Sequence, residues 1–426
     1  MSQPRLALAF VPLALIACVW TTAAVDIASA QPAPPYTIAG YVAPVDANGN
    51  GLIDSAEIQA VVNDATGGRG VVFLPAAATY NIDSPIVLSK PGVTLLGEGH
   101  GVSTAGGTIL KIAGNVEAVV LLNCTGCGVR NVSFAGTSSH ATNAVRIESC
   151  TSAYLEHVRI SGTHRGIDVV NSVGPVLEDV ALRALTGDYG IRVRGANGGK
   201  SDAAQLHRIS ASVSKTANTV IDWLVFGPNV DSVEVQSARL VAGRRGMWLV
   251  GGTGSEPGPK YVFTNKLGVD NTSNEGVRVD AASDLLMINT WIGQVDSTSG
   301  FTIGAGFTGG AVLTNLRIRG SGVHGLEING GRDIGITNPL IGANGTALAA
   351  GSTTGAGIYV AAGVSTLRVT GGRVGPLYSQ GGSARQYYGI KYDGTPTQSD
   401  AQDVKITGVS TSGNTIPFAP GNLINP

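Results

Sequence analysis

Arg165-Gly166-Ile167-Asp168-Val169 is followed by Tyr189-Gly190-Ile191-Arg192-Val193, then by Arg245-Gly246-Met247-Trp248-Leu249 and Glu275-Gly276-Val277-Arg278-Val279. Ser299-Gly300-Phe301-Thr302-Ile303 and His324-Gly325-Leu326-Glu327-Ile328 repeat the theme, and weaker copies sit at Ala144, Gly357 and Gly389. Each copy reads glycine, apolar, variable, apolar. The glycines are 24 residues apart from 166 to 190, 30 from 246 to 276, 24 from 276 to 300 and 25 from 300 to 325, with a double step of 56 between 190 and 246. A fixed period in this range marks a solenoid or a propeller. Each repeat also holds a second alternating run, such as Leu155-Glu156-His157-Val158-Arg159-Ile160, Leu177-Glu178-Asp179-Val180, Val233-Glu234-Val235 or Val404-Lys405-Ile406. Two or three strands per turn of roughly 22 to 32 residues are too few for a propeller blade of about 40 to 50. The leucine-rich-repeat signature is missing too, which leaves an all-β chain wound as a right-handed parallel β-helix.

Composition agrees with that reading. Sixty-one glycines, 13% charged and 5% aromatic residues exclude a coiled coil, and 43% hydrophobic residues are too many for a disordered chain. A formal net charge of -1 offers no global attraction to nucleic acid or an anionic membrane, so neither is expected as a partner. Arg5, the apolar run Leu6 to Trp20 and Ala28-Ser29-Ala30 before Gln31 read as a signal peptide over residues 1–30. The expected location is secreted or periplasmic; Leu15-Ile16-Ala17-Cys18 supplies the alternative, a lipoprotein anchored through Cys18. No later stretch approaches the roughly 18 apolar residues of a spanning helix.

Residues 31–66 read as a proline-marked lead-in ending in one helix, capped by Asp54-Ser55 and stopped by Gly67-Gly68, with Ile58, Val61, Val62 and Ala65 on its buried face. Residues 67–416 are the β-helix and 417–426 a tail. That tail, or a neighbouring subunit, must cover the last coil; a homo-oligomer, a trimer included, stays open. Cys124-x-x-Cys127 lacks the second pair a zinc site needs. Cys127 and Cys150, 23 residues apart, are expected to stack in neighbouring coils as buried apolar groups or as a disulfide.

The N-terminal stretch resembles the pectate-lyase-like right-handed β-helix proteins with a helix-capped start. The matching residues are Asp54-Ser55-Ala56-Glu57-Ile58-Gln59-Ala60, Gly67-Gly68-Arg69-Gly70-Val71-Val72-Phe73-Leu74-Pro75, Thr79-Tyr80 and Leu95-Leu96-Gly97-Glu98-Gly99. The likeness covers about residues 46–110; beyond it only the period speaks. Ala76-Ala77-Ala78 stands where the family usually has a glycine before Thr-Tyr. That family includes lyases, hydrolases, epimerases, tailspike depolymerases and proteins without known catalysis, so the resemblance implies a carbohydrate-facing scaffold more than a reaction.

Two features carry chemistry. Asp46-Ala47-Asn48-Gly49-Asn50-Gly51-Leu52-Ile53-Asp54-Ser55-Ala56-Glu57 satisfies each position of an EF-hand loop, with Ca2+ ligands at Asp46, Asn48, Asn50, the Leu52 carbonyl, Asp54 and Glu57. The competing reading is a metal-free turn into a capped helix, because Pro44 precludes an entering helix and there is one loop only. The second feature is the variable rung position, which points outward if its apolar neighbours point in. In order it is Arg146, Asp168, Arg192, Asp222, Trp248, Arg278, Thr302, Glu327, Tyr359 and Lys391. Arg165, Tyr189, Arg245, Glu275, His324 and Tyr388 edge the same face.

A hydrolase needs two carboxyl groups roughly 5 to 9.5 Å apart, and Asp168 with Asp188, or Asp188 with Asp222, are the candidates. A uronate lyase needs a cation for the carboxylate and a base, for which Arg192, Arg245 and Lys215 stand out. Arg165, Tyr189, Trp248, Glu275 and Arg278 are the expected substrate contacts, Trp248 and Tyr189 offering flat faces to sugar rings and the arginines forks to carboxylates. The Asp-Asp pair of polygalacturonases and the arginine-proline motif of the best-known pectate lyases are missing. The expectation is therefore a polysaccharide-active lyase or hydrolase, against a non-catalytic glycan-binding or adhesion protein whose charge ladder serves register and solubility.

Overall fold

The computed structural model describes residues 41–65, 70–76, 78–99, 106–137, 142–215, 220–252, 257–375, 386–394 and 404–419. The leader, Cys18, Gly67-Gly68-Arg69 and the last seven residues lie outside them. The chain is a parallel β-solenoid: among the described residues its strands form one 13-stranded and one 22-stranded sheet, and a single helix stands before the coils. No described helix is long and apolar enough to cross a membrane. The lead-in contributes to the solenoid, since Tyr41–Val42 pairs with Val71 and Val72. At the other end Ile416–Ala419 adds a strand beside Tyr388–Tyr392, so the expected tail begins within the last coil.

The helix, Ser55–Asp64, forms because Asp54 and Glu57 make a capping box, each side chain accepting the other's backbone N–H. Ile58 and Val62 are buried beneath it. Gln59 faces Ile86–Leu88, the terminal strand of the 13-stranded sheet, where its amide donates to the Val87 carbonyl at 3.1 Å and accepts the Val87 N–H at 2.7 Å. One side chain thus imitates a missing strand and occupies an otherwise open edge.

Inside the 13-stranded sheet the apolar rung residues stack coil on coil. Ile167, Ile191, Leu224, Met247, Val277, Phe301, Leu326 and Ile358 form one such row, all fully buried. Each contributes about 1.5–3 kcal/mol by leaving water. Glycine is required at the rung by close approach: a Cβ on Gly166 would meet the Gly190 carbonyl oxygen at 2.2 Å, and one on Gly325 would meet that of Gly357 at 2.6 Å. The double step in the sequence is one coil, Asp222–Phe226, in which Trp223 takes the glycine's place. Its indole is fully buried, donates to the Val241 carbonyl and lies against Gly243, where a Cβ would be 2.7 Å from its nitrogen.

The turn between the two strand rows of the larger sheet keeps one backbone conformation from coil to coil. Asn131, His157, Asp179, Arg208, Ser237, Lys266, Asn289, Asn315, Asn338, Gly371 and Gly408 all sit there with φ between 52° and 65°. Nine of these eleven are not glycine, so the left-handed bend is held by hydrogen bonds rather than by a missing Cβ. Asn289 donates to Asn265, Asn315 to Asn289 and Asn338 to Asn315, a row of side-chain amides along the axis.

The cysteine expectation is corrected in detail. Thr125 pairs with Thr151, which places Cys124, not Cys127, over Cys150, their sulfurs 3.2 Å apart. Cys124 and Cys127 are disulfide-bonded, and Cys150 is a buried free thiol. The three-residue difference is that between a spacing of 23 and the coil length of 26 at that corner.

Candidate functional site

The outward face of the 13-stranded sheet carries the predicted column with one change. Arg146 pairs with Asp168 and Asp168 with Arg192; Arg192 then pairs with Val225, and Val225 with Trp248. Arg278, Thr302, Glu327, Tyr359 and Lys391 complete the row. Asp222 therefore does not occupy the variable position. It belongs to the edging column, between Tyr189 and Arg245, because the Trp223 coil has no glycine from which to count.

Guanidinium groups enclose the carboxylates of this face. Asp168, only 2% exposed, accepts both forks of Arg192 at 2.8 and 2.9 Å and those of Arg194 at 3.1 and 3.4 Å. Asp222, 1% exposed, is gripped by Arg244 and lies 3.5 Å from Arg245. Arg245 continues to Glu275 at 2.8 Å, Glu275 to Arg278 at 2.7 Å and Arg278 to Asp280 at 2.6 Å, where the Trp248 indole N–H also donates. Arg165 pairs with Asp188. The Tyr189 ring is held between Arg192 at 4.2 Å and Arg165 at 5.3 Å, and its hydroxyl donates to Asn143. Trp248 lies under Arg245 at 4.7 Å. Fork pairing of this kind fixes the aromatic planes as well as the charges.

A cleft of about 270 Å³ opens in this face, lined by Asp188, Tyr189, Arg192, Arg194, Asp222, Val225, Pro228, Arg244 and Trp248, among others. Of the predicted site residues, Asp188, Tyr189, Arg192, Asp222 and Trp248 meet here. Asp168, Arg165, Arg245, Glu275 and Arg278 stand behind or beside the lining and position it. Lys215 is elsewhere: it bonds Asn271 at 2.9 Å and Asp296 at 2.7 Å, against strands of the other sheet, so its expected place as a lyase base in this site is corrected. Arg194, Arg244 and Val225 were not anticipated. Arg194 was legible, since period two puts it on the same side as Arg192; Arg244 sits at a turn, where no period applies.

The carboxyl groups are driven apart electrostatically. For Asp188, burial acts upward but the hydrogen bond and charge of Arg165 win, leaving it below the ordinary aspartate value. Asp168 is lowered likewise, burial being overcome by Arg192 and Arg194. For Asp222, burial outweighs Arg244 and Arg245 and raises the carboxyl. Arg192 is held more firmly protonated: its own burial is overcome by the bond to Asp168. Burial likewise pushes the Tyr189 phenol up.

At the first loop, Asp46 accepts the backbone N–H groups of Gly49, Asn50 and Gly51, and Asn50 that of Leu52. Glu57 accepts those of Ala47, Asn48 and Asp54. The metal-free cap is thus fully formed, and a bound cation would compete with it for Glu57.

No protein-family model and no curated protein matches the sequence. Solved structures do. The mannuronan C-5 epimerase AlgE4 A-module of Azotobacter vinelandii superposes with a TM-score of 0.58 at 18% identity, over 87% of this chain and 94% of that one. The AlgE6 A-module of the same organism gives 0.51 at 17%, over 87% and 97%. The catalytic unit of a GH87 α-1,3-glucanase from Streptomyces thermodiastaticus gives 0.51 at 14%, over 93% and 71%. The chain has the parallel β-helix fold of these proteins, as its helix-capped start implies.

Proposed function

We propose that this protein acts on a polysaccharide and that an acidic sugar unit occupies the cleft. The observation that carries this is the lining itself: the Trp248 ring with Arg192, Arg194 and Arg244 around it, above carboxylates that the same arginines already neutralise, while Tyr189, 2% exposed, backs the arginines rather than meeting a sugar. An aromatic ring packs on a pyranose face, and three guanidinium groups that share two carboxylates leave a surplus positive charge for a uronate. The names of two neighbours point the same way, since they act on mannuronan.

Hydrolysis fits the titrating groups better than elimination. Asp222, raised by burial, suits the acid that protonates the leaving oxygen; Asp188, lowered by Arg165, suits the base. Elimination would need a deprotonated base, and Arg192 and Tyr189 are both held protonated. A second reading, non-catalytic glycan binding, is favoured by one fact: both cleft carboxylates, Asp188 and Asp222, are already engaged by guanidinium groups. Export rests on the leader-like N-terminus, and a structural Ca2+ on the donor set of the first loop.

The test is a panel of uronate-containing and neutral polysaccharides, read for reducing ends, for the absorbance of unsaturated uronates and for deuterium uptake from D2O at the uronate carbon. Reducing ends that vanish in Asp222→Asn, with glycan binding retained, are the expected result. New absorbance identifies a lyase and deuterium uptake alone an epimerase. Binding without any of the three rejects the enzyme.

A further inference from the structure

A larger concavity, about 510 Å³, lies on the other sheet, lined by Asp270, Asn271, Trp291, Gln294, Asp296 and Arg319 among others. Gly293 shapes it. Gly268, Trp291 and Arg317 are successive members of one outward column, and Asp270, Gly293 and Arg319 of the next. A Cβ on Gly293 would fall 2.3 Å from the Trp291 ring, so that glycine lets the indole lie flat across the strand. Gly268 answers no such need. Its φ is ordinary, and an added Cβ would meet nothing nearer than the Ala238 carbonyl at 3.6 Å. The neighbouring coil has Arg239 at the equivalent place; Gly268 lies outside the lining, and the indole, turned over Gly293, borders the Asp270 and Arg319 side.

Trp291 is 39% exposed, although tryptophan is ordinarily well covered. Around it Lys215 ties Asn271 to Asp296, which fixes the rim amide and carboxylate in place. A flat indole with headroom, ringed by carboxylate, amide and guanidinium groups, presents one apolar face and several hydrogen-bond partners, the usual make-up of a small-ligand site.

We propose that this hollow is a second glycan-binding site, one that takes a neutral pyranose: its ring on Trp291, its hydroxyls on the rim groups. The carboxylates of the rim accept from sugar hydroxyls, and because Lys215 and Arg319 only offset Asp270 and Asp296, the rim has no surplus of positive charge to draw uronates, unlike the arginine-lined cleft. The site is independent of whether the cleft cleaves anything.

The test uses the intact chain on a printed array of neutral and acidic glycans, followed by calorimetry with the strongest neutral hit. Neutral hits should weaken about tenfold or more, equal to about 1.4 kcal/mol, in both Trp291→Ala and Gln294→Gly. Gln294→Gly removes an exposed rim amide at a φ of 52° that glycine adopts freely and should leave the melting midpoint unlowered, so lost binding there cannot be lost folding. Neutral glycans that bind both variants as well as the parent, or none that bind the parent, overturn the proposal. So does a set of hits confined to acidic glycans.

Discussion

The cleft and the hollow interrupt the same solenoid in opposite ways. In the cleft the repeat is overfilled: Trp223 enters a glycine position, Asp222 is displaced from the sequence count, and Arg194 and Arg244 crowd onto Asp168 and Asp222. In the hollow the repeat is emptied, Gly293 standing where the coils on either side carry Asp270 and Arg319. A repeat array holds its backbone constant, so a binding surface arises wherever side-chain volume departs from the period. The sign of the departure sets the chemistry. Added side chains bring charge, and removed ones bring access to an aromatic face.

The largest expected effect breaks the overfilled region. Asp222→Ala leaves Arg244 without its carboxylate beside a buried gap, Arg245 keeping Glu275, and should lower stability by about 3 kcal/mol in urea unfolding. A loss under about 1 kcal/mol would mean that the network is ornamental. Next comes a pair of glycines. Gly166→Ala should cost about 3 kcal/mol, its Cβ driven into the Gly190 carbonyl, whereas Gly268→Val should cost nothing measurable. Equal costs would erase the distinction between a glycine that packing demands and one that leaves room.

A smaller effect concerns pH. Asp168 is lowered in the fold, so its contribution is present above the unfolded value and is lost as pH falls through the folded one; Asp222, raised, has the opposite sign, favouring the fold at low pH and losing that as pH rises. The midpoint difference between the parent and Asp168→Asn should therefore shrink below about pH 4. A constant difference would count against the guanidinium cage. Smallest is the first loop, where millimolar Ca2+ should raise the midpoint slightly and Glu57→Gln, which can keep the Asp54 N–H bond of the capping box but has one accepting oxygen fewer, should abolish the response. An unchanged parent midpoint would reject a bound ion.

The fold was legible because the period is enforced by backbone contact: Gly166 over Gly190 and Gly325 over Gly357 tolerate no Cβ, so each leaves a letter in the sequence. The Asp168–Arg192–Trp248 column followed from strand alternation alone. Asp222 was misplaced because its coil replaces the letter used for counting, and the hollow was invisible because a functional glycine and a structural one are spelled the same. Arg244 and Lys215 project from turns, whose direction depends on coils distant in sequence.

The row of amides from Asn265 to Asn338 has a direction, every nitrogen donating toward the N-terminal end. Reversing Asn315 alone would set nitrogen against nitrogen and oxygen against oxygen, breaking two bonds at once. The row therefore behaves as a parity check on winding: a coil that slips by one residue removes its asparagine from the line and is detected by both neighbours.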